Sequence, residues 1–267
     1  MKVGYMTNAW GAVVGHPGGV TSIKDLYYLS TGADEQAIRA ISEAGFEYIE
    51  IFDGNLMAYE ADKQKFTGLL QKYGVKLFAV YTGADFIYDE VLEEEFFKMK
   101  QAAEIAIAFG AKHLCVGGGA VRSTGVKDED YEKLAKGLDR AMEMASDYGL
   151  IASYHPHLGT CVQSPDQLDK LMPLTKSSLC PDCGHIAAGG GDPVEVVRKY
   201  RDRIKYLHLK DYKDGGFYPL GMGGIDFKEI ISILYGKGVD YTVEADGYAG
   251  SPEEAAKISF RYLDGLL

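Results

Sequence analysis

Short apolar segments alternate with longer segments of helical periodicity along the whole chain. The short segments are rich in β-branched and aromatic residues and predict β-strands. The longer segments repeat apolar residues every three or four positions, which is typical of helices that bury one face. Eight strands are predicted, at Val3–Trp10, Tyr48–Phe52, Lys76–Tyr81, His113–Gly117, Ile151–His155, Ser178–Asp182, Tyr206–Lys210 and Tyr241–Ala245. The predicted helices are Asp34–Ala44, Asp62–Tyr73, Glu90–Phe109, Asp128–Tyr148, Pro165–Met172, Pro193–Arg203, Asp226–Tyr235 and Pro252–Leu263.

The ends of the predicted helices carry capping residues. Asp34, Ser164 and Ser251 are predicted N-caps, and a proline follows the two serines directly at the first helical position. Glycine suits the left-handed position that ends a helix. Glycines of this kind stand just before the next predicted strand at Gly45, Gly74, Gly110, Gly149 and Gly238.

Strict alternation of strands and helices predicts an α/β protein, a closed (β/α)₈ TIM barrel formed by one domain over residues 1–267. An open doubly wound sheet is the alternative, and it requires a glycine-rich phosphate loop after the first strand. The segment Trp10–Gly15 contains glycines, but neither their spacing nor a following helix fits that loop. Residues Gly11–Gly32 are expected instead to form a long first loop.

Composition and charge narrow the functional class. The 267 residues are 46% hydrophobic, which suffices for a large core, and no apolar run reaches the length of a membrane span. The N-terminus shows no signal peptide, and four cysteines are few for a disulfide framework, so a cytoplasmic protein with reduced thiols is expected. A net charge of −11 without a basic cluster disfavours nucleic acid and favours a small-molecule substrate. The sequence does not determine the oligomeric state, and a homo-oligomer is one of the possibilities.

Polar side chains follow four consecutive predicted strands, where the site of a barrel forms. The fifth strand ends in Ser153–His157, the sixth in Asp182–His185, the seventh in His208–Asp211 and the eighth in Glu244–Asp246. A right-handed crossover between the sixth and seventh strands places Asp182 and His208 side by side. Strand alternation turns Tyr206 and Lys210 inward together with His208, and Thr242 and Asp246 inward together with Glu244.

These strand ends predict a site for one divalent cation. Asp182, His208 and Glu244 are a mixed nitrogen and oxygen set that suits Mn²⁺, Co²⁺, Mg²⁺ or Zn²⁺, and His155 is the expected fourth ligand. A half-open site of this kind polarises a carbonyl and stabilises the enediolate of a neighbouring carbon acid. The alternative is a set of ion pairs that merely line the mouth of a barrel.

Several motifs resemble the xylose-isomerase-like barrels of sugar isomerases, ketose epimerases and inosose dehydratases. The His-Pro-His-x-Gly-Thr motif of the fifth strand and the run Pro-Leu-Gly-x-Gly-x-Ile-Asp-Phe are most similar to the inosose dehydratase branch. The resemblance implies that Asp182, His208 and Glu244 bind the metal and that His185 contacts substrate oxygens. The matching pieces are Gly45–Glu50, Tyr154–Thr160, Asp182–His185, His208–Asp211, Pro219–Phe227 and Glu244–Asp246.

One departure from the family favours elimination over epimerisation. Ketose epimerases of the family have a glutamate on the fifth strand that binds the metal and transfers a proton, and His155 stands in its place here. The expected function is therefore a metal-dependent dehydratase acting on a keto-polyol such as an inosose, a carbohydrate or cyclitol. The expected base and acid are Lys210, His155 or His157, and His185. A ketose isomerase or epimerase, an eliminase of 3-keto-glycosides and a non-catalytic sugar-binding barrel are the alternatives.

The sequence also gives predictions for residues outside the expected ligand set. Glu50, Trp10 and His157 are expected beside His185 as substrate-contacting residues, although Trp10 could equally pack at the rim. His16 lies in the first loop and is expected to be solvated. Cys180 and Cys183 form a C-x-x-C pair without the second cysteine pair of a structural zinc site, so a role as a redox or zinc pair is disfavoured.

Overall fold

The computed structural model describes residues 1–11, 27–245 and 247–266. The strands are β1 (Val3–Met6), β2 (Tyr48–Phe52), β3 (Lys76–Ala84), β4 (His113–Gly118), β5 (Ile151–Tyr154), β6 (Tyr206–Leu209), β7 (Asp211–Lys213), β8 (Gly216–Tyr218) and β9 (Asp240–Val243). The main parallel sheet has seven strands in the order β5-β4-β3-β2-β1-β9-β6, and β7 and β8 form a separate antiparallel hairpin.

The segment 178–182 closes the barrel between β5 and β6. Leu179 bridges to Tyr154 on one side and to Ile204 on the other, and Asp182 bridges to His208. The prediction of a regular strand here is wrong in part, because Pro181 has no N–H to donate to a sheet and leaves only isolated bridges. The parallel, nearly closed barrel confirms the predicted (β/α)₈ class.

Helices cover the outside of the barrel. Two 3₁₀ helices, Thr7–Trp10 and Glu60–Asp62, supplement them. The α-helices are α1 (Asp34–Ala44), α2 (Asp53–Met57), α3 (Lys63–Tyr73), α4 (Leu92–Ala108), α5 (Asp128–Asp147), α6 (Pro165–Leu171), α7 (Cys183–Ala188), α8 (Pro193–Tyr200), α9 (Phe227–Leu234) and α10 (Pro252–Asp264).

The predicted caps are largely confirmed. Ser164 and Ser251 accept hydrogen bonds from the third residue of their helices, and all five glycines predicted at helix ends have positive φ. Asp34 is a correction, because it is the first residue of α1 and Ala33 is the N-cap. Its carboxylate is drawn away from the cap position and accepts hydrogen bonds from Asn55 and Tyr59.

The first predicted strand also ends early. β1 stops at Met6, and Thr7–Trp10 turns into a 3₁₀ helix instead of continuing to pair. The turn brings the amide of Asn8 into the barrel mouth, where it donates to Glu244, and it packs Trp10 against Tyr5. Polar and aromatic contacts at the strand end thus replace the extended pairing that the apolar pattern predicts.

Strand alternation separates two hydrophobic layers. The larger layer lies between strands and helices and includes Tyr5, Ile49 and Leu114, whereas a smaller cluster fills the barrel interior. The smaller cluster comprises Met6, Tyr28, Phe52, Phe78, Ala79, Tyr81, Cys115, Cys180 and Tyr206. In the part of the chain that the structure describes, every helix is too short or too polar to cross a bilayer.

Candidate active site

The carboxyl ends of the last barrel segments bring Asp182, His208 and Glu244 together. One ligand atom from each lies within 4.8 Å of the other two, and all three residues are buried. Asp182 is bridged to His208 in register, as the crossover argument predicts. Glu244 follows β9, and its backbone N–H donates to the carbonyl of Leu209 on β6, which fixes its height in the barrel.

The two carboxylate oxygens of Asp182 have different surroundings. Oδ1 accepts a hydrogen bond of 2.8 Å from the backbone N–H of His185 and so caps α7. Oδ2 is buried without a hydrogen-bond partner and lies 3.4 Å from the Nζ atom of Lys210. Burial and the nearby Glu244 raise the pKa of Asp182, and Lys210 counteracts them. An oxygen that is buried, unpartnered and directed at other ligand atoms is what a cation site requires.

Glu244 is held from three sides. Asn8 donates to its Oε1 at 2.7 Å, whereas His208 Nδ1 and Lys210 Nζ lie 3.0 Å and 3.1 Å from its Oε2. Burial opposes ionisation, but Lys210 and His208 outweigh it and hold the pKa of Glu244 well below its ordinary value. Glu244 is therefore a carboxylate at neutral pH.

His208 faces acidic groups with both ring nitrogens. Nδ1 points to Glu244, and Nε2 lies 3.2 Å from Oε2 of Glu50 and 3.5 Å from the sulfur of Cys115. Although burial lowers it, the pKa of His208 is held well above its ordinary value by Glu50, Cys115 and Glu244. Binding a cation through Nδ1 therefore requires His208 to release a proton.

Lys210 and His185 form a hydrogen-bonded pair beside the carboxylates. Their Nζ and Nε2 atoms are 2.9 Å apart, and the helix α7 carries His185 over the barrel mouth. Burial and the neighbouring His157 and Lys210 lower the pKa of His185, so its ring is neutral. If Nε2 accepts from Lys210, the ring proton is on Nδ1, which is buried without a partner.

His157 and His155 complete a group of three imidazoles with His185. The rings of His157 and His185 are 3.8 Å apart between centroids, and one nitrogen from each of the three residues lies within 4.8 Å of the others. His157 Nδ1 lies 2.6 Å from the carbonyl oxygen of Leu158. Burial, His208 and His157 lower the pKa of His155, which is therefore neutral as well.

His155, the predicted fourth ligand, lies to one side of the group formed by Asp182, His208 and Glu244. His155 lies 4.5 Å from His208 between ring centroids, but its nitrogens group with Cys115, Cys180 and His208 and not with Asp182 and Glu244. The predicted role of His155 stays a prediction, and three residues, not four, form the compact oxygen and nitrogen set.

The structure places the other residues that were predicted to contact substrate, Glu50 and Trp10, at different depths in the barrel. Glu50 is fully buried and accepts from the hydroxyl of Tyr206, so it supports His208 from inside the barrel. Trp10 is oriented outward, packs against Tyr5 and donates to Glu253 on α10 at 3.1 Å, which agrees with rim packing. His16 and Asp246 lie outside the described residues.

Sequence reasoning missed several neighbours of the site. Asn8 comes from a 3₁₀ turn that was expected to be strand, and Cys115 lies on β4, whose end carries no charged residue. Phe217 belongs to the hairpin β7–β8 and lies over Lys210 at 5.2 Å and beside His185 at 5.6 Å. The alternation of side chains along β4, which turns Cys115 inward, could have predicted this neighbour of the site.

The glycine-containing run at residues 219–227 anchors this hairpin. Asp211 accepts four backbone hydrogen bonds with its two carboxylate oxygens, from Tyr212 and Ile225 on Oδ1 and from Gly221 and Gly223 on Oδ2. A Cβ at Gly223 would stand 2.2 Å from Oδ1 of Asp211, so only glycine allows the loop to wrap the carboxylate. The run is therefore a structural support of the barrel mouth.

Comparison with known proteins agrees with the fold. The family model described as Xylose isomerase-like TIM barrel matches residues 38–266. An inosose dehydratase of Geobacillus kaustophilus (strain HTA426) is 30% identical over 272 residues, which cover 87% of this chain and 87% of that protein.

Solved structures share the fold at low identity. The probable 3-DHS dehydratase AsbF of Bacillus anthracis has a TM-score of 0.77 and 16% identity, covering 99% of each chain. The IOLI protein, solved with a bound zinc atom, has a TM-score of 0.74 and 19% identity, covering 100% of this chain and 98% of its own. These similarities support the fold, whereas the chemistry is argued from the side chains.

Proposed function

Since this chain belongs to the xylose isomerase-like TIM barrel family, we propose that it is a metal-dependent dehydratase of a keto-polyol such as an inosose. The observation that carries the proposal is the compact set Asp182, His208 and Glu244 directly beside the hydrogen-bonded pair Lys210 and His185. The first set suits a divalent cation, and the second suits proton transfer. Curated relatives named inosose dehydratase support the substrate class.

The residues present fit a cation of the Mn²⁺, Co²⁺, Mg²⁺ or Zn²⁺ type. Asp182 and Glu244 supply oxygens and His208 supplies Nδ1. Oδ2 of Asp182 accepts no hydrogen bond and lies 4.0 Å from Nδ1 of His208. When bound, such a cation supplies a Lewis acid that polarises a ketone and an adjacent hydroxyl.

Lys210 is proposed as the base. It is fully buried, and next to a divalent cation its neutral amine form would be favoured over the ammonium form. The Nζ atom takes the proton from the carbon beside the ketone, and the electron pair of that C–H bond forms the new carbon–carbon double bond.

His185 is proposed as the acid. As the carbon–oxygen bond breaks, Nδ1–H of His185 gives its proton to the leaving hydroxyl, and Lys210 passes the proton taken from carbon to Nε2 through the 2.9 Å hydrogen bond, so that the ring stays neutral and water leaves. Lys210 is then the neutral amine again, and His185 is the tautomer with its proton on Nε2. Proton exchange with solvent restores the Nδ1–H tautomer, so no net acid or base is consumed. His157, whose ring centroid lies 3.8 Å from that of His185, would position that ring and contact substrate oxygens.

The test is to incubate the protein with scyllo-inosose and Mn²⁺ or Co²⁺ and to measure turnover from the absorbance of the dione product. Lys210→Met should lower kcat by about 10²–10⁴-fold, because it removes the proton acceptor while the cation ligands remain. Lys237→Met is the matched control, since Lys237 pairs with Asp202 at the surface at 2.7 Å. Mn²⁺ binding should survive both substitutions.

Two results would contradict the proposal. One is the absence of dione from any keto-polyol although Mn²⁺ binds. The other is uptake of solvent deuterium into a ketose without loss of water, which would identify an isomerase or epimerase.

A further inference from the structure

Two cysteines lie just below the oxygen-rich set, deeper in the barrel. Cys180 precedes Asp182 by two residues on the same inward face, and Cys115 comes from β4 across the interior. Both are free and fully buried. Together with His155 and His208 they offer four ligand atoms that all lie within 4.8 Å of one another.

Two of the distances among these atoms match the edges of a tetrahedron around a thiophilic ion. The two sulfurs are 3.8 Å apart, and the sulfur of Cys115 is 3.5 Å from Nε2 of His208. A tetrahedral zinc ion with sulfur at about 2.3 Å and nitrogen at about 2.0 Å has sulfur–sulfur edges of about 3.8 Å and sulfur–nitrogen edges of about 3.5 Å. The sulfur of Cys115 therefore already has ligand spacing to the sulfur of Cys180 and to Nε2 of His208, and His155 offers the fourth ligand atom within 4.8 Å of the others.

The histidines present suitable nitrogens. His208 uses Nδ1 toward Glu244 and Asp182, so Nε2 serves the sulfur side of the same ring. The Nδ1 atom of His155 is buried without a hydrogen-bond partner. Glu50, at 3.2 Å from Nε2 of His208, competes for that nitrogen and would keep its hydrogen bond from Tyr206 when the ion binds.

We propose that Cys115, Cys180, His155 and Nε2 of His208 form a second cation site, which takes thiophilic ions such as Zn²⁺ or Cd²⁺. Two sulfurs select such ions against Mg²⁺ and Mn²⁺, which prefer the oxygens of Asp182 and Glu244. On binding, each thiol and Nε2 of His208 release a proton to solvent, and two thiolates neutralise the charge of the ion.

The test is a Cd²⁺ titration of the whole protein, stripped of metal and kept under a non-thiol reductant. The wild type should develop the ultraviolet thiolate-to-cadmium charge-transfer band, saturating with one ion at this site. The Cys115→Ser, Cys180→Ser double variant should lose the band. An Asp182→Asn, Glu244→Gln double variant should keep it, which separates this site from the oxygen-rich one.

Cys161→Ser is the matched control, because Cys161 is also free and buried but lies outside the cluster; it should keep the band. ¹¹³Cd NMR of the wild type needs no substitution and should report two sulfur ligands. The proposal is overturned if the wild type gives no charge-transfer band, if the band survives the double cysteine substitution, or if the ¹¹³Cd shift reports oxygen and nitrogen ligands alone. None of these readouts depends on dehydratase activity.

Discussion

Asp182 shows how one residue joins the fold to the site. Its Oδ1 ends the barrel segment by capping α7, and that cap holds His185 above Lys210. Its Oδ2 remains for a cation. Since one carboxylate performs both tasks, the register of α7 and the position of the ligand are coupled, and a change that spares the cap tests the ligand alone.

Asp182→Asn is such a change, because the amide oxygen can still cap the helix. The variant should bind Mn²⁺ at least about tenfold more weakly than the wild type in calorimetric titrations, since an amide replaces a charged ligand. Asp192→Asn is the control, because Asp192 caps α8 in the same way at the surface. Equal Mn²⁺ affinity of the wild type and Asp182→Asn would show that Asp182 is not a ligand.

Among the elements, those with a strong local pattern could be predicted from the sequence. Most predicted strands and helices of the barrel are found within a few residues of their predicted bounds, because one buried face determines each of them. Residues 178–182 were recognised as a barrel segment, although Pro181 leaves them only isolated bridges.

Elements set by tertiary contacts could not be predicted. The short helices α2 and α7 and the hairpin β7–β8 have no periodicity of their own, and Asp211 fixes the hairpin through backbone groups ten or more residues away. In the site, too, contacts between residues far apart in sequence could not be predicted. Strand ends identified Asp182, His208 and Glu244, but the contact of Cys115 with Cys180 joins residues 65 positions apart.

The packing of α7 against Lys210 leads to a prediction for Gly184. A Cβ there would meet Cγ of Lys210 at 2.7 Å and Cδ at 2.9 Å, and Lys210 is held by Asp182 and Glu244. Gly184→Ala should therefore lower the free energy of unfolding by about 1–3 kcal/mol, measured by urea denaturation.

Gly68→Ala is the matched substitution on α3, where nothing lies within 4 Å of the added Cβ. It should raise the free energy of unfolding by about 0.5–1 kcal/mol, since alanine loses less backbone entropy in a helix. If Gly184→Ala is as stable as Gly68→Ala, α7 does not pack on Lys210 as described.

At the scale of the whole molecule, the end of the barrel opposite the site is held by Asp240. Its carboxylate accepts from the backbone N–H of Lys2 at 3.0 Å and lies 3.0 Å from Nε2 of His113, and Lys112 donates to it as well. These partners begin β1 and β4, so one side chain at the start of β9 ties distant strands together. His113 also stacks on Tyr206 at 4.6 Å between ring centroids.

Because Asp240 is charged, the stability that its contacts with Lys2, Lys112 and His113 contribute depends on pH. Burial opposes ionisation, but His113, Lys112 and the N–H of Lys2 hold the pKa of Asp240 well below its ordinary value. A carboxyl whose pKa is depressed by folding stabilises the protein above its unfolded pKa of about 4, and the contribution is lost as the pH falls toward the folded value.

Asp240→Asn should consequently lower the free energy of unfolding by about 1–3 kcal/mol at neutral pH, because the charged hydrogen bonds are lost. The difference from the wild type should be constant above about pH 5 and shrink as the pH falls below about 4. Denaturant titrations across this range measure it, with the exposed Asp264→Asn as control. A difference that stays the same down to about pH 3 would mean that Asp240 acts through packing and not through its charge.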